Sequence, residues 1–85
     1  MKVTVLYFAA LRERVGQARE ECELPPGVET VDALRAWLVT RGEPWAGAFA
    51  ATRHVRAAVD QGIARGDVRL RDEAEVAFFP PVTGG

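Results

Sequence analysis

The sequence closes on Glu75-Val-Ala-Phe-Phe-Pro-Pro-Val-Thr-Gly-Gly85, and its last two residues are the ones whose types could do chemistry. A terminal glycine offers an α-carboxylate with no side chain around it. Such a carboxylate is a poor electrophile at neutral pH, because it is charged and its oxygen is a poor leaving group. Transfer of an adenylyl group from ATP would convert it to a mixed anhydride that a nucleophile can attack. The sequence has no phosphate-binding glycine loop and no nucleotide-binding lysine motif, so the ATP must be held by a partner. Gly84 and Gly85 are thin and conformationally permissive and can thread a channel that any Cβ would block. From Pro80 onward six residues at roughly 3.3 Å each reach about 20 Å, far enough to enter another protein's active site.

Other reactive side chains are few. Cys22 is the single cysteine, which excludes an internal disulfide and any four-cysteine metal or iron–sulfur site within one chain. On an alternating strand it reads as a small buried hydrophobe, although it could in principle carry sulfur. His54 has no serine, cysteine or metal-spaced partner and reads as a solvated or edge histidine. Glu20, Glu21 and Glu23 read as a solvated strand face, and no carboxylate pair has the look of general acid/base machinery. A net charge of −1 with no run of basic residues argues against nucleic acid as a partner. There is no signal-peptide pattern and no apolar run of membrane-spanning length, so the expected location is cytoplasmic, with no membrane partner.

The elements that must position the tail follow from periodicity. With 85 residues, nearly half of them hydrophobic, the chain is one small domain, expected over residues 1–79, with residues 80–85 as a flexible tail. Val3, Val5 and Tyr7 alternate with Thr4, Leu6 and Phe8 in a first strand. Ala9 to Val15 reads as a short helix stopped by Gly16, with Arg12 on its exposed side. Ala18 to Leu24 reads as a charged strand that turns Cys22 and Leu24 inward and ends at Pro25-Pro26-Gly27. Thr30 caps the main helix, whose Val31, Leu34 and Leu38 form one stripe with Trp37 at its border; Gly42 and Pro44 stop it. Trp45 and Phe49 suggest one further helical turn. Val55, Ala57 and Val59 alternate in a third strand that ends in the turn Asp60-Gln61-Gly62, and Ile63 begins a short extension. Val76 to Phe79 is the last strand, stopped by Pro80 and Pro81, which cannot donate ladder hydrogen bonds. This order predicts an α+β fold with a mixed sheet of four to five strands, one main covering helix and short extra helices. Pattern alone leaves the topology open.

If Val76 and Phe78 point into the core, Ala77 and Phe79 point out, beside Leu6 and Phe8 of a neighbouring first strand. That arrangement makes an apolar patch at the root of the tail, and such patches mark docking surfaces anchored by aromatics. A single bulge would shift the parity and send one or both phenylalanines to the core instead.

Phe78-Phe79-Pro80-Pro81-Val82-Thr83-Gly84-Gly85, closing a chain that opens Lys2-Val-Thr-Val-Leu-Tyr-Phe-Ala9, resembles the small-subunit family of molybdopterin synthase. The likeness runs the whole length, through Leu11-Arg12-Glu13 and Ala57-Ala-Val-Asp-Gln61. It implies a ubiquitin-like β-grasp fold with first and last strands side by side and parallel. One departure is local: the family usually carries Gly-Asp just before the final strand, where this chain has Glu73-Ala74.

The resemblance also implies a function. An E1-like enzyme would adenylate Gly85, a sulfur donor protein would convert it to a thiocarboxylate, and the tail would enter a large catalytic subunit to give sulfur to a pterin precursor. Two small and two large subunits would form a heterotetramer. The chain would then not be catalytic alone and would bind no cofactor or metal itself, ATP being used by the activating partner. Gly85 would be the reactive residue and Gly84 its clearance, with Leu6, Phe8, Arg12, Phe79, Pro80, Pro81, Val82 and Thr83 meeting partners. The alternatives that begin with the same adenylation are a sulfur carrier for thiamine or tRNA thiolation and a ubiquitin-like protein modifier. An interaction module with an inert tail is the remaining reading.

Overall fold

Strict alternation in the first strand, β1 (Lys2–Tyr7), buries Val3, Val5 and Tyr7 and leaves Thr4 and Leu6 on the opposite face. The computed structural model describes residues 1–81. Val82, Thr83, Gly84 and Gly85, which carry the expected reactive end, lie outside the described residues. After β1 come α1 (Ala9–Val15), β2 (Arg19–Glu23), α2 (Val31–Thr40), α3 (Trp45–Ala51), β3 (Arg56–Val59), β4 (Gly62–Ala64) and β5 (Glu75–Phe79). The strands form one mixed sheet in the order β2-β1-β5-β3-β4, with β1 and β5 parallel and the other pairs antiparallel. Parallel neighbours need a long crossover. Here the segment between β1 and β5 supplies it, and the result is the α+β, β-grasp arrangement expected.

Helix α2 starts where Thr30 Oγ1 accepts the Ala33 N–H at 3.1 Å, satisfying one of the amides that a helix start leaves unpaired. Its stripe of Val31, Leu34 and Leu38 is fully buried against the inner sheet face, where it meets Val3, Val5, Val76 and Phe78. Each such side chain contributes roughly 1.5–3 kcal/mol on burial. The helix gives way to Gly42 in the left-handed region, φ 87°. Helix α3 then lays Phe49 edge-on against Phe78, ring centroids 5.4 Å apart. Helix α1 buries Leu11 and Val15 and ends at Gly16, φ 89°, whose N–H returns to the Arg12 carbonyl.

One expectation fails. Glu20 is not on the solvated face with Glu21 and Glu23. It alternates with Cys22 and Leu24 and therefore turns inward, opposite Val5. There its carboxylate accepts the Tyr7 hydroxyl at 2.7 Å, Trp45 Nε1–H at 3.1 Å and Arg41 Nη2 at 2.9 Å. Arg41 also lies over the Trp45 ring at 3.8 Å and the Trp37 ring at 5.2 Å. A half-buried carboxylate survives at this edge because charged and neutral donors meet both its oxygens. The cluster ties β1 and β2 to the end of α2 and the start of α3.

The Glu73-Ala74 departure keeps the turn by strain. Glu73 takes φ 69°, a left-handed conformation that glycine adopts without cost, and its N–H donates to the Lys2 carbonyl at 2.6 Å. Asp72 Oδ1 accepts the Lys2 N–H at 2.8 Å, so the turn is pinned to the start of β1 from both sides.

Candidate functional site at the root of the C-terminal strand

Register decides what the outer sheet face presents. Leu6 of β1 lies opposite Ala77 of β5, and Ala77 lies opposite Ala58 of β3. Directly paired residues share a face, so these three make a row across the sheet. The next row, towards the tail, holds Phe79 with Arg56 opposite it. Phe8 follows β1 on the other flank: its N–H donates to the Phe78 carbonyl at 3.2 Å and its own carbonyl accepts the Leu11 N–H at 3.1 Å to start α1. With its backbone committed on both sides, the Phe8 ring is left 46% exposed. Phe79 is half-buried on this face while Phe78 is completely buried on the other.

Leu6, Phe8, Ala9, Ala58, Ala77, Phe79 and Pro80 line an open hollow of about 590 Å³, with Glu75 and Gln61 at the end away from the tail. The outward placement expected for Leu6, Phe8, Ala77 and Phe79 is the one observed, with no bulge to shift it. Arg12 is exposed, and its N–H donates to the Phe8 carbonyl at 3.4 Å, which sets it one helical turn from the ring. Pro80 and Pro81 continue the chain from β5 and are half-buried. Val82, Thr83, Gly84 and Gly85 were expected in the site and lie outside the described residues.

Three further residues belong to this face and were missed. Ala58 and Arg56 reach it through the β3–β5 pairing, opposite Ala77 and Phe79, and Ile63 through the two-residue β3–β4 hairpin, which sets Val59 opposite Gly62 and Ala58 opposite Ile63. The turn puts Asp60 at φ 47° and Gln61 at φ 73°, the paired positive angles that match the twist of a tight hairpin. Counting outward from Asp60-Gln61 would have paired Ala58 with Ile63. Ile63 is 68% exposed, more than any other large hydrophobic residue among those described.

The remaining nucleophile lies elsewhere. Cys22 is buried on the inner face, where Arg41 Nη1 approaches its sulfur at 3.7 Å. Burial, then the Glu20 charge, push its thiol up to about 11, so it holds its proton at neutral pH. His54 is exposed at φ 56° in the loop before β3. Among the described residues no three His, Cys, Asp or Glu side chains cluster as a metal site would require. No helix there is long and apolar enough to cross a membrane.

An apolar hollow with two aromatics in its lining sits where the chain leaves the sheet at Pro80. The ThiS family model matches residues 5–85. The Molybdopterin synthase sulfur carrier subunit of Escherichia coli is 42% identical over 83 residues, spanning 98% of this chain and 99% of that one. Among solved structures, SAMP1 from Haloferax volcanii superposes with a TM-score of 0.77 at 22% identity, covering both chains completely. A chain from the complex of subunits 1 and 2 of the Molybdopterin-converting factor of Helicobacter pylori does so with a TM-score of 0.65 at 19% identity, again over both full lengths. At those identities the two structures speak for the fold alone. The chain therefore belongs to the ThiS family, as a relative of the molybdopterin synthase sulfur carrier subunits.

Proposed function

We propose that this protein is the sulfur-carrying small subunit of molybdopterin synthase, and that its Gly85 carries the sulfur as a thiocarboxylate. The observation that supports this most directly is the apolar hollow of Leu6, Phe8 and Phe79 at the point where β5 runs into Pro80 and on towards Gly-Gly. A docked partner would receive the tail from that point. The Escherichia coli relative bears the name of this subunit at 42% identity, and the Helicobacter pylori relative was solved with its subunit 2. The first name supports a second synthase subunit as the partner, which we take to be the large catalytic one; the second structure supports the fold.

The chemistry follows from the carboxylate. An E1-like enzyme binds ATP, and the Gly85 carboxylate attacks its α-phosphorus, forming the acyl adenylate and releasing pyrophosphate. Hydrosulfide supplied by a donor protein then attacks the carbonyl carbon. The C–O bond to the phosphate breaks, AMP leaves with the electron pair, and the sulfur stays on Gly85. In the large subunit the tail delivers that sulfur to the pterin precursor, and water restores the carboxylate. This chain's own residues supply docking and reach; it binds neither ATP nor metal and works in the cytoplasm. Residues 1–79 act as the docking domain and 80–85 as the arm.

Intact-mass analysis of the protein recovered from cells tests this reading. Sulfur in place of oxygen at the terminus is the expected result. Recovery only as an isopeptide conjugate to lysines of other proteins would make it a modifier instead, and an unmodified terminus in cells that make the pterin dithiolene would overturn the carrier reading.

A further inference from the structure

Of the 11 lysines and arginines in the sequence, Lys2 is the one lysine. The sheet fixes its place. Lys2 opens β1, and its Nζ lies 3.9 Å from the Glu21 carboxylate and 3.8 Å from that of Glu73 in the turn before β5. The Met1 amine is at the same end, 3.4 Å from Glu23. Because β5 runs parallel to β1 with Tyr7 opposite Phe78, Phe79 leaves the sheet six residues of strand beyond Lys2, about 20 Å at roughly 3.3 Å per residue. Around the root of the tail the long basic side chains are arginines. Arg56 lies opposite Phe79, Arg53 is in the loop before β3 and Arg12 is one helical turn from Phe8, all three exposed. Cys22 is buried on the inner face. His54 shares the loop with Arg53, but an acyl imidazole formed there would be returned to the acid by water.

We propose that this chain does not accept its own activated terminus: arginine in place of lysine around the tail, and Lys2 set beyond the arm's reach, leave activated Gly85 to the sulfur nucleophile. This rests on the role of Gly85 given above and deepens it. A lysine amine attacks an activated acyl carbon; a guanidinium stays charged at neutral pH and offers only donors. Reach does the rest. Pro80 and Pro81 carry the chain onward from β5, and the four residues beyond them span at most about 14 Å, short of the distance back to Lys2. An amine at position 56 would instead stand beside the root of the arm, and joining both reactants through so short a chain raises their effective concentration. Its nitrogen would attack the Gly85 carbonyl carbon and lose a proton, the C–O bond to the phosphate would break, and AMP would leave with the electron pair. The arm would close on itself as an amide, with no carboxylate left for another round.

The test uses the full chain with Gly85 as an α-thioester, whose C–S bond stands in for the C–O bond of the adenylate and releases a thiolate. The protein is kept without sulfide in mildly alkaline solution and followed by intact mass. The parent should give the free acid. Exchanging the two residue types, Lys2→Arg together with Arg56→Lys, preserves charge and lysine count. It should give a cyclised product, lighter than the acid by one water, at least about tenfold faster than the parent does. Lys2→Arg together with Arg12→Lys should do the same from the other side of the root. Arg12 and Arg56 are exposed, so neither exchange disturbs the core. Self-coupling of the parent at the rate of the exchange variants, as a cyclic product or as a covalent dimer through Lys2, would overturn the proposal. Hydrolysis alone in both exchange variants would overturn it as well. The underlying reading is tested separately: hydrosulfide converts the parent thioester to the thiocarboxylate. Failure of that protein to deliver sulfur in the large subunit would end the carrier role without bearing on where the amines lie.

Discussion

Phe78 and Phe79 are consecutive in β5 and belong to opposite faces of the sheet: the first is wholly buried with its ring edge-on to Phe49, the second borders the outer hollow. Identical side chains one residue apart should therefore fail in different ways. Phe78→Ala leaves a cavity in a close-packed core and should cost about 3–5 kcal/mol of stability. Phe79→Ala removes an anchor that contributes roughly 1.5–3 kcal/mol when a partner covers it. It should weaken binding of the large subunit at least about tenfold while the isolated domain melts close to the parent. Calorimetric titration and thermal melting of the two variants check this, and loss of folding by Phe79→Ala would make that residue part of the core.

Glu20 predicts a pH dependence. Burial alone would raise its carboxyl, but hydrogen bonds from Tyr7, Arg41 and Trp45 and the Arg41 charge outweigh burial and hold it below the ordinary carboxylate range. A carboxyl held low in the folded state adds stability above its unfolded value and loses that contribution as pH falls through the folded value. The parent should lose stability on acidification below about pH 4.3. Glu20→Gln should be less stable at neutral pH by about 1–3 kcal/mol and show a flatter acid limb. Melting curves of both proteins across pH measure the difference, which cancels the other carboxylates.

Much of this fold was legible because its signals were local. The alternation of Val3, Val5 and Tyr7, the Thr30 cap and the Val31-Leu34-Leu38 stripe each depend on neighbours a few residues away. The outer placement of Leu6 and Phe79 follows from strand parity alone. What pattern could not supply was the order of strands, because the β1–β5 pairing joins the two ends of the chain; family likeness supplied it. Glu20 was misread because three glutamates in five residues look solvated, and the donors that permit its burial, Tyr7, Arg41 and Trp45, come from three other segments. Ile63 was overlooked although the Asp60-Gln61 turn sets its register with Ala58, and Arg56 because its place opposite Phe79 depends on the long-range β3–β5 pairing.

Glu73 sits at φ 69°, in the left-handed region that glycine adopts without cost. Glu73→Gly should relieve that strain and stabilise the domain by about 1 kcal/mol, a rise in melting temperature of about 4–8 °C for a domain of this size. The loss of the Lys2–Glu73 ion pair, 3.8 Å long and exposed on both sides, subtracts little. A melting temperature at or below the parent's would show that the turn is not strained.

Cys22 lies on the inner face with its thiol proton held tightly, so it should take no part in sulfur transfer. Cys22→Ala should support dithiolene formation at the parent's rate, with a modest loss of stability from the small cavity, about 1 kcal/mol. A folded Cys22→Ala protein that accepts no sulfur would place the sulfur on the thiol rather than on the terminus.

The reach of the arm makes the sharpest demand. If Gly85 is the reactive residue, deleting it withdraws the terminal carbonyl by about one 3.3–3.6 Å step, and a misplacement of about 1 Å can lower a rate on the order of a hundredfold. Sulfur transfer by the shortened chain should fall nearly to zero. Residues added after Gly85 should abolish activation as well, since the carbonyl would then belong to an amide with no carboxylate to adenylate. Gly84→Val should obstruct the channel with a branched Cβ and remove the positive-φ option. None of these changes touches the buried core of Val3, Leu34, Val76 and Phe78, so each variant should melt like the parent and still bind the large subunit. The readouts are ATP-dependent adenylation by the activating enzyme and dithiolene formation from protein thiocarboxylated chemically, which bypasses activation and isolates delivery. Full activity in a chain lacking Gly85 would refute the carrier role, whatever partner the outer face binds.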